Sequence, residues 1–440
     1  MGRKRKSRQL EIWMNGEHVG FWRISASGEH GLGYSESWLS SPLARPISLS
    51  LPLQPPDALH RGSVVQLFFE NLLPDNPDIR GRIQQRFSVG SRSAFDLLTE
   101  IGRDCVGALQ LVSEEADSPT VKGIEGIVVE EEDIAALLRE VYSPGLAGDQ
   151  RHDAFRISIA GAQEKTALLL HNGSWHIPRG TTPTTHILKL PLGDVGRQRI
   201  DLSDSVTNEW LCSRILRAYG ERTAESSILR FEDQEVLAVE RFDRSLSQDG
   251  SWIIRHVQED MCQVFGVSPE AKYESEGGPG IESIMDVLRG SANARRDRRS
   301  FFRTQILFWL LAAIDGHAKN FSIRIGPRGA YSSTPFYDVL SAWPVIGRGA
   351  RKIALQDARM AMSVKGKSRH YRWDHIHRRH WQSTAKLCGF ESEIDKVIDE
   401  IIEQTPAVLG QVRQNLPCGF SPRIAHSILA GVKKAAERLG

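Results

Sequence analysis

Long apolar runs are missing from this chain. No stretch of its 440 residues approaches the length needed to cross a bilayer, so no membrane span is expected. Cysteine is sparse: Cys105, Cys212, Cys262, Cys388 and Cys418 lie far apart and form no C-x-x-C pair. That argues against a disulfide framework or a zinc module, and leaves the reduced thiols of a cytoplasmic protein as the expectation. Charge of one sign is also lacking. The formal net charge is +2, so the whole molecule is no polyanion binder, and any nucleic-acid contact must come from a local patch. Repeats at solenoid periods are absent. The basic start, Gly2-Arg-Lys-Arg-Lys-Ser-Arg8, leads into no apolar segment and does not read as a secretory signal. A disordered basic arm and a phosphate-contacting tail remain its two readings.

What is present is enough apolar sequence for about two or three domains. Leu10–Met14 and Val19–Ile24, joined by Asn15-Gly16, read as a β-hairpin. Residues 42–56 are Pro-rich and extended. Helices are expected over 64–73, stopped by Pro74, and over 94–101, with a strand over 103–112. The acidic 113–125 segment reads as a surface loop near a domain boundary. A helix over 131–141 follows, then strand, loop and strand over 155–170, and a further strand over 185–190. Residues 205–219 form a helix with Val206, Trp210, Leu211, Ile215 and Leu216 on one face and Gly220 suited to its end. Residues 236–242 read as a strand. From about 259 the period becomes helical, with a core helix over 297–314, a small hairpin over 321–337 and a helical tail over 371–440. A β-rich part before a helical part implies an α+β fold with two lobes.

Asp315-Gly-His-Ala-Lys-Asn320 follows the core helix, and Asp338 follows the hairpin. These are parts of a phosphoryl-transfer site: one acid to accept the proton of a substrate hydroxyl, an amide and a second acid to hold Mg²⁺ between phosphates. The spacing is that of the kinase catalytic loop H-R-D-x-x-x-x-N, with Ala313 and Ile314 in place of His and Arg. Taken alone, an Asp capping a turn and an Asn in left-handed backbone explain it equally well. Upstream, Ser158-Ile-Ala-Gly-Ala-Gln-Glu-Lys165 lies between strand signals. Its small residues would let backbone N–H groups approach an anion; an ordinary hairpin turn is the other reading. Lys189 sits on an apolar strand, where an inward lysine needs an opposite charge; Glu209 is a candidate partner, and an outward solvated lysine is the alternative. Glu240, Arg241 and Phe242 end the strand that would connect the lobes and flank a purine. Loop, lysine, connector, Asp-to-Asn loop and final Asp stand in kinase order. The segment 365–381 is basic with interleaved aromatics and four histidines, either a solvated face or a phosphate-backbone contact, without a convincing metal-ligand pattern. Arg295–Arg299 reads as the polar start of the core helix.

Seven segments of the second part, Phe155–Lys165, Pro183–Lys189, Val239–Asp243, Gln258–Gln263, Lys272–Gly280, Asp315–Asn320 and Thr334–Asp338, together resemble the HipA family. These are the toxin kinases of bacterial HipBA toxin–antitoxin systems. Arg45–Leu53 and Glu70-Asn-Leu-Leu-Pro-Asp75 match too, so the resemblance spans nearly the whole chain. It implies a two-lobed protein-kinase-like fold, with an N-terminal subdomain over 1–150, an ATP-binding part over 151–258 and an all-helical C-terminal lobe over 259–440. It implies a serine/threonine kinase with Asp315 as catalytic base and Asn320 and Asp338 on Mg²⁺. ATP contacts are implied from Ala160, Gly161, Ala162, Gln163, Glu164, Lys165, Lys189, Glu240, Arg241, Phe242, Gln258, His317, Ala318, Lys319, Asn320, Tyr337 and Asp338. Ser158 is the implied autophosphorylation site, where a phosphate of about −2 charge would expel the loop and silence the enzyme. The implied substrate is an aminoacyl-tRNA synthetase, with glutamyl-tRNA synthetase foremost, and the implied outcome is blocked translation and persistence. The implied partner is a HipB-type helix-turn-helix dimer that carries the kinase onto operator DNA and the nucleoid. Lys386 matches the family's DNA-contacting segment, whereas Gly389 stands where a second basic residue is expected. A catalytically silent corepressor, acting only through antitoxin and DNA, is the alternative; the intact Lys189, Asp315, Asn320 and Asp338 favour the kinase. A metal hydrolase built on Asp315, His317 and Asp338 is a third, weaker reading.

Overall fold

The structure, a computed structural model, describes residues 7–121, 123–142, 163–196 and 198–440. It begins with a five-stranded antiparallel sheet in the order His60–Arg61, His30–Tyr34, Glu17–Ile24, Arg8–Met14, Leu109–Ser113. Asn15 and Gly16 turn the first hairpin with φ of 49° and 84°, the doubly positive backbone that Asn-Gly tolerates. Alternation along Arg8–Met14 turns Leu10, Ile12 and Met14 inward. They share a core with Phe68, Phe69, Leu97 and Leu98 of helices Ser63–Glu70 and Ala94–Ile101. Trp22 stacks on Phe69 with ring centres 3.9 Å apart. Helix Pro77–Arg86 has no apolar stripe, only Gly81 being buried, so periodicity cannot reveal it; the Asn76 cap and Pro77 start it.

The second sheet has six strands in the order Ser226–Phe231, Gln234–Glu240, His186–Lys189, Lys165–His171, Ser174–Pro178, Gly126–Val128. Its two faces separate by strand parity. Leu188, Leu190, Val236 and Ala238 pack with Ile134, Ala135 and Leu138 of helix Glu131–Tyr142. Leu237 and Val239 turn the other way, into the core that holds helix Ser205–Ala218. Lys189, between Leu188 and Leu190, therefore points towards that helix. Gly126–Val128 pairs with Ser174–Pro178, so residues 126–142 belong to this sheet.

The C-terminal lobe is built on helix Ala294–Leu311, whose residues 301–311 are all buried. Helices Arg378–Leu387, Glu391–Gln414 and Pro422–Leu439 surround it. Trp309 and Trp373 stack 4.9 Å apart, and each indole N–H donates to the other's backbone carbonyl at 3.0 and 2.7 Å. The expectation of an all-helical lobe is corrected by two small sheets. One joins Gln258–Asp260, Ser322–Ile325 and Tyr331–Ser333; the other pairs Arg359–Lys365 with Arg369–Arg372. The hairpin of Ser322–Ile325 and Tyr331–Ser333 falls where 321–337 is expected to turn, Gln258–Asp260 is too short for alternation to mark, and Arg359–Lys365 is buried from Met360 to Val364 without alternation. Among the described residues no helix is long and apolar enough to cross a membrane.

Two buried polar junctions fix the N-terminal part on the rest. Glu259 is fully buried and accepts from Ser48 Oγ at 2.5 Å and Leu49 N–H at 2.8 Å. Asp104 and Asp243 lie among Arg241, Arg244 and Arg255, every one of them buried. Burial pushes the Asp104 carboxyl up, but the three arginines outweigh it and hold it far below the carboxylate range.

Candidate active site

Helix Ala294–Leu311 ends because Ala312 turns left-handed, with φ of 47°. The chain then doubles back under the helix. At Gly316 a Cβ would sit 2.5 Å from Phe308 Cδ2, so only glycine fits. This close turn leaves Asp315 exposed at the cleft, followed by a buried 3₁₀ turn Ala318–Asn320. The His317 backbone N–H donates to Asn320 Oδ1 at 3.0 Å, and Asn320 Nδ2 donates to Asp338 Oδ2 at 3.1 Å. Asp338 has φ of 61°, a costly conformation for a non-glycine residue that recurs at functional sites.

Lys189 donates to Glu209 Oε1 and Asp338 Oδ1, each at 2.7 Å. Lys165 lies directly opposite Lys189 on the neighbouring strand. Two ammonium groups and two carboxylates form a charge-balanced quartet, which is what makes burial of any one tolerable. Burial pulls the Lys189 ammonium down, but Asp338 and Glu209 outweigh it and hold it above the lysine range. Burial and then Lys189 push Lys165 down to about 8. Burial pushes Asp338 up, yet Lys189 and Lys165 prevail and keep it ionised. Burial raises Glu209, with Lys189 opposing.

The cleft continues past Tyr337, whose ring centre is 5.7 Å from that of Phe242. Among the described residues no backbone carbonyl accepts from the Phe242 N–H. Glu240 is exposed beside it. Gln258 Nε2 reaches Ser322 Oγ at 3.4 Å, and Ser322 Oγ hydrogen-bonds Tyr337 Oη at 2.5 Å, so Gln258 is linked to Tyr337 through Ser322. His317 is buried within the 315–320 loop, and burial lowers its imidazole below the ordinary histidine value.

Several expected contacts are used elsewhere. The Arg241 side chain leaves the cleft for Asp104 and Asp243, because a buried guanidinium needs those carboxylates; its backbone N–H donates to the Thr185 carbonyl at 2.8 Å. Lys319 is also turned away, donating to Asp260 Oδ2 at 3.0 Å and Asn71 Oδ1 at 2.9 Å. Ala318 is buried, its N–H on the Lys272 carbonyl at 3.2 Å. Glu164 pairs with Arg82, and Gln163 Nε2 donates to the Leu190 carbonyl at 2.5 Å. Ser158, Ala160, Gly161 and Ala162 lie outside the described residues. Lys386 is exposed on helix Arg378–Leu387.

Sequence reasoning missed Tyr273. Its hydroxyl donates to Asp315 Oδ1, and its ring meets His317 edge-on at 5.2 Å. Burial first and Asp315 second hold the phenol far above its ordinary range, so it remains a donor. It stands inside the Lys272–Gly280 motif, but only the fold brings it to Asp315.

For Mg²⁺ the donors fit: Asp338 offers a carboxylate, and Asn320 Oδ1, which accepts one hydrogen bond from His317 N–H, keeps a second lone pair. A hard cation that takes few protein oxygens and completes its shell with phosphate and water suits such a pair. Among the described residues no group of three or more His, Cys, Asp or Glu side chains is placed to hold a metal.

The site has relatives. Residues 157–409 match the family model for the HipA-like C-terminal domain, and residues 10–112 match that for the HipA N-terminal domain. The chain is a member of the HipA family. A Sinorhizobium fredii protein named "Putative kinase Y4mE" is 31% identical over 91% of this chain and 92% of its own. The serine/threonine-protein kinase toxin HipA of Shewanella oneidensis is 27% identical over 76% of each chain. A solved structure of HipA from that organism, in complex with HipB and operator DNA, superposes with a TM-score of 0.78 at 20% identity, over 98% of this chain and 97% of that one. HipA membership makes this chain a serine/threonine-protein kinase of the toxin type with a kinase-like α+β fold.

Proposed function

We propose that this kinase transfers the γ-phosphate of ATP to a serine of an aminoacyl-tRNA synthetase, glutamyl-tRNA synthetase foremost, with Asp315 as the base. The observation that carries the phosphoryl transfer is the meeting of Lys189, Glu209, Asn320 and Asp338 near an exposed Asp315, and the synthetase as acceptor rests on the family resemblance alone. Lys189, steadied by Glu209, exchanges its contact with Asp338 for phosphate oxygens. Asp338 and Asn320 Oδ1 would hold Mg²⁺, which would supply charge neutralisation for the phosphates. Asp315 accepts the proton of the serine hydroxyl as the Oγ–Pγ bond forms and the bond from Pγ to the departing ADP oxygen breaks. Phe242 and Tyr337 flank the base, with the Phe242 N–H and the Glu240 backbone at its edge. Ser158, next to the phosphate loop, is the proposed autophosphorylation site.

The solved relative was captured with HipB and operator DNA. A HipB-type dimer is accordingly the proposed partner here, with autorepression at the operator. Lys386, exposed near the basic 365–381 segment, is the proposed DNA contact. The test uses purified chain, γ-labelled ATP and a panel of aminoacyl-tRNA synthetases, with and without antitoxin. Label is expected on one synthetase, and none with Asp315→Asn or Asp338→Asn, while antitoxin binding persists in both. Toxicity that survived both substitutions would instead favour the silent corepressor.

A further inference from the structure

The N-terminal subdomain reaches the catalytic loop through one continuous set of contacts. Asp75, the last residue of Glu70-Asn-Leu-Leu-Pro-Asp75, is nearly buried and receives Lys272 Nζ at 3.0 Å. Burial pushes its carboxyl up, but Lys319 and Lys272 outweigh it and keep it charged. The Lys272 carbonyl accepts from Ala318 N–H at 3.2 Å, which ties this segment to the catalytic loop. Tyr273 comes next. Its carbonyl accepts from Glu276 and Gly278 N–H at 3.0 and 2.9 Å. A Cβ on Gly278 would lie 2.3 Å from the Ala271 carbonyl oxygen, so the turn is closed to other residues. The Tyr273 backbone is thus held on both sides. Its ring is braced edge-on by His317, and its hydroxyl ends on Asp315 Oδ1.

Among the described residues Tyr273 is the side-chain donor to Asp315, and without it this exposed aspartate would sample its rotamers freely. One rigid phenol removes that freedom, and it leaves Oδ2 for an incoming hydroxyl. We propose that Tyr273 is the positioning residue for the Asp315 carboxylate, and that the N-terminal subdomain sets Tyr273 through Asp75 and Lys272. This rests on Asp315 being the base. The N-terminal part then acts in phosphoryl transfer without touching ATP or acceptor.

The experiment is the initial rate of label incorporation into the full-length chain from γ-labelled ATP, over a range of ATP concentrations, with melting curves for each variant. Tyr273→Phe is expected to lower kcat by about 10- to 100-fold, the cost of a misplaced reacting group, with KM for ATP and Tm unchanged. Asp75→Asn is expected to lower kcat in the same direction by less. The double variant is expected to be no slower than Tyr273→Phe, because residues in one chain of contacts are not additive. Wild-type kcat in Tyr273→Phe, or strictly multiplicative losses in the double variant, would overturn the proposal. Asp315→Asn separates the two readings. If it still transfers phosphate, the base is misassigned; if it is dead while Tyr273→Phe is fully active, only the positioning role fails.

Discussion

Lys165 and Lys189 face one another across paired strands, and the difference between them has a measurable outcome. Lys189 keeps its proton because two carboxylates touch it. Lys165 is pushed down to about 8, below the lysine range. As pH rises through about 8, Lys165 loses the charge that ATP phosphates would meet. Affinity for ATP, followed by titration from pH 7 to 9.5, is expected to weaken across that interval. Lys165→Met should bind about tenfold or more weakly at pH 7, the worth of a charge-assisted contact, and show a flatter pH profile. At this scale the sequence pointed to Lys189 by its place on an apolar strand and to Asp315, Asn320 and Asp338 by spacing and order, and Lys189 and Asn320 do meet Asp338 in the fold. Arg241 and Lys319 were not placed correctly. Both lie in motifs, but burial beside acids from distant segments decides where their side chains turn.

Among elements, the turn after helix Ala294–Leu311 governs the site. Gly316→Ala is expected to lower kcat by about 10- to 100-fold and stability by about 1–3 kcal/mol, since its Cβ must displace the Phe308 ring. Labelled-ATP rates and thermal melting check both. Helices with an apolar stripe were legible: Ser205–Ala218 ends one residue before its expected limit, and Ser63–Glu70 and Ala294–Leu311 stand within three residues of theirs. Helix Pro77–Arg86 and strands Gln258–Asp260 and Arg359–Lys365 were not legible: the helix buries almost nothing, and the strands declare themselves only by their partners. The helical start expected near residue 259 is a strand for the same reason.

For the whole molecule, the buried cluster of Asp104, Asp243, Arg241, Arg244 and Arg255 joins the N-terminal sheet to the connector strand. Asp104→Asn leaves three arginines facing Asp243 alone. Breaking a buried pair in this way is expected to cost about 3–5 kcal/mol, read as a fall in Tm. KM for ATP should rise as well, because Arg241 adjoins Phe242. The lobed order was legible from the change of periodicity along the chain. The contacts between the parts were not, since each joins residues that no local pattern connects.

Glu259, sealed under Ser48 and Leu49, ties the kinase portion to its neighbour in a one-sided way. Its hydrogen-bond donors come from residues 45–53, and Asp104 and Asp75, the carboxylates that face Arg244 and Lys272, also belong to the N-terminal part. A kinase portion produced alone would lose all of these partners at once, so it is expected not to fold as a separate cassette.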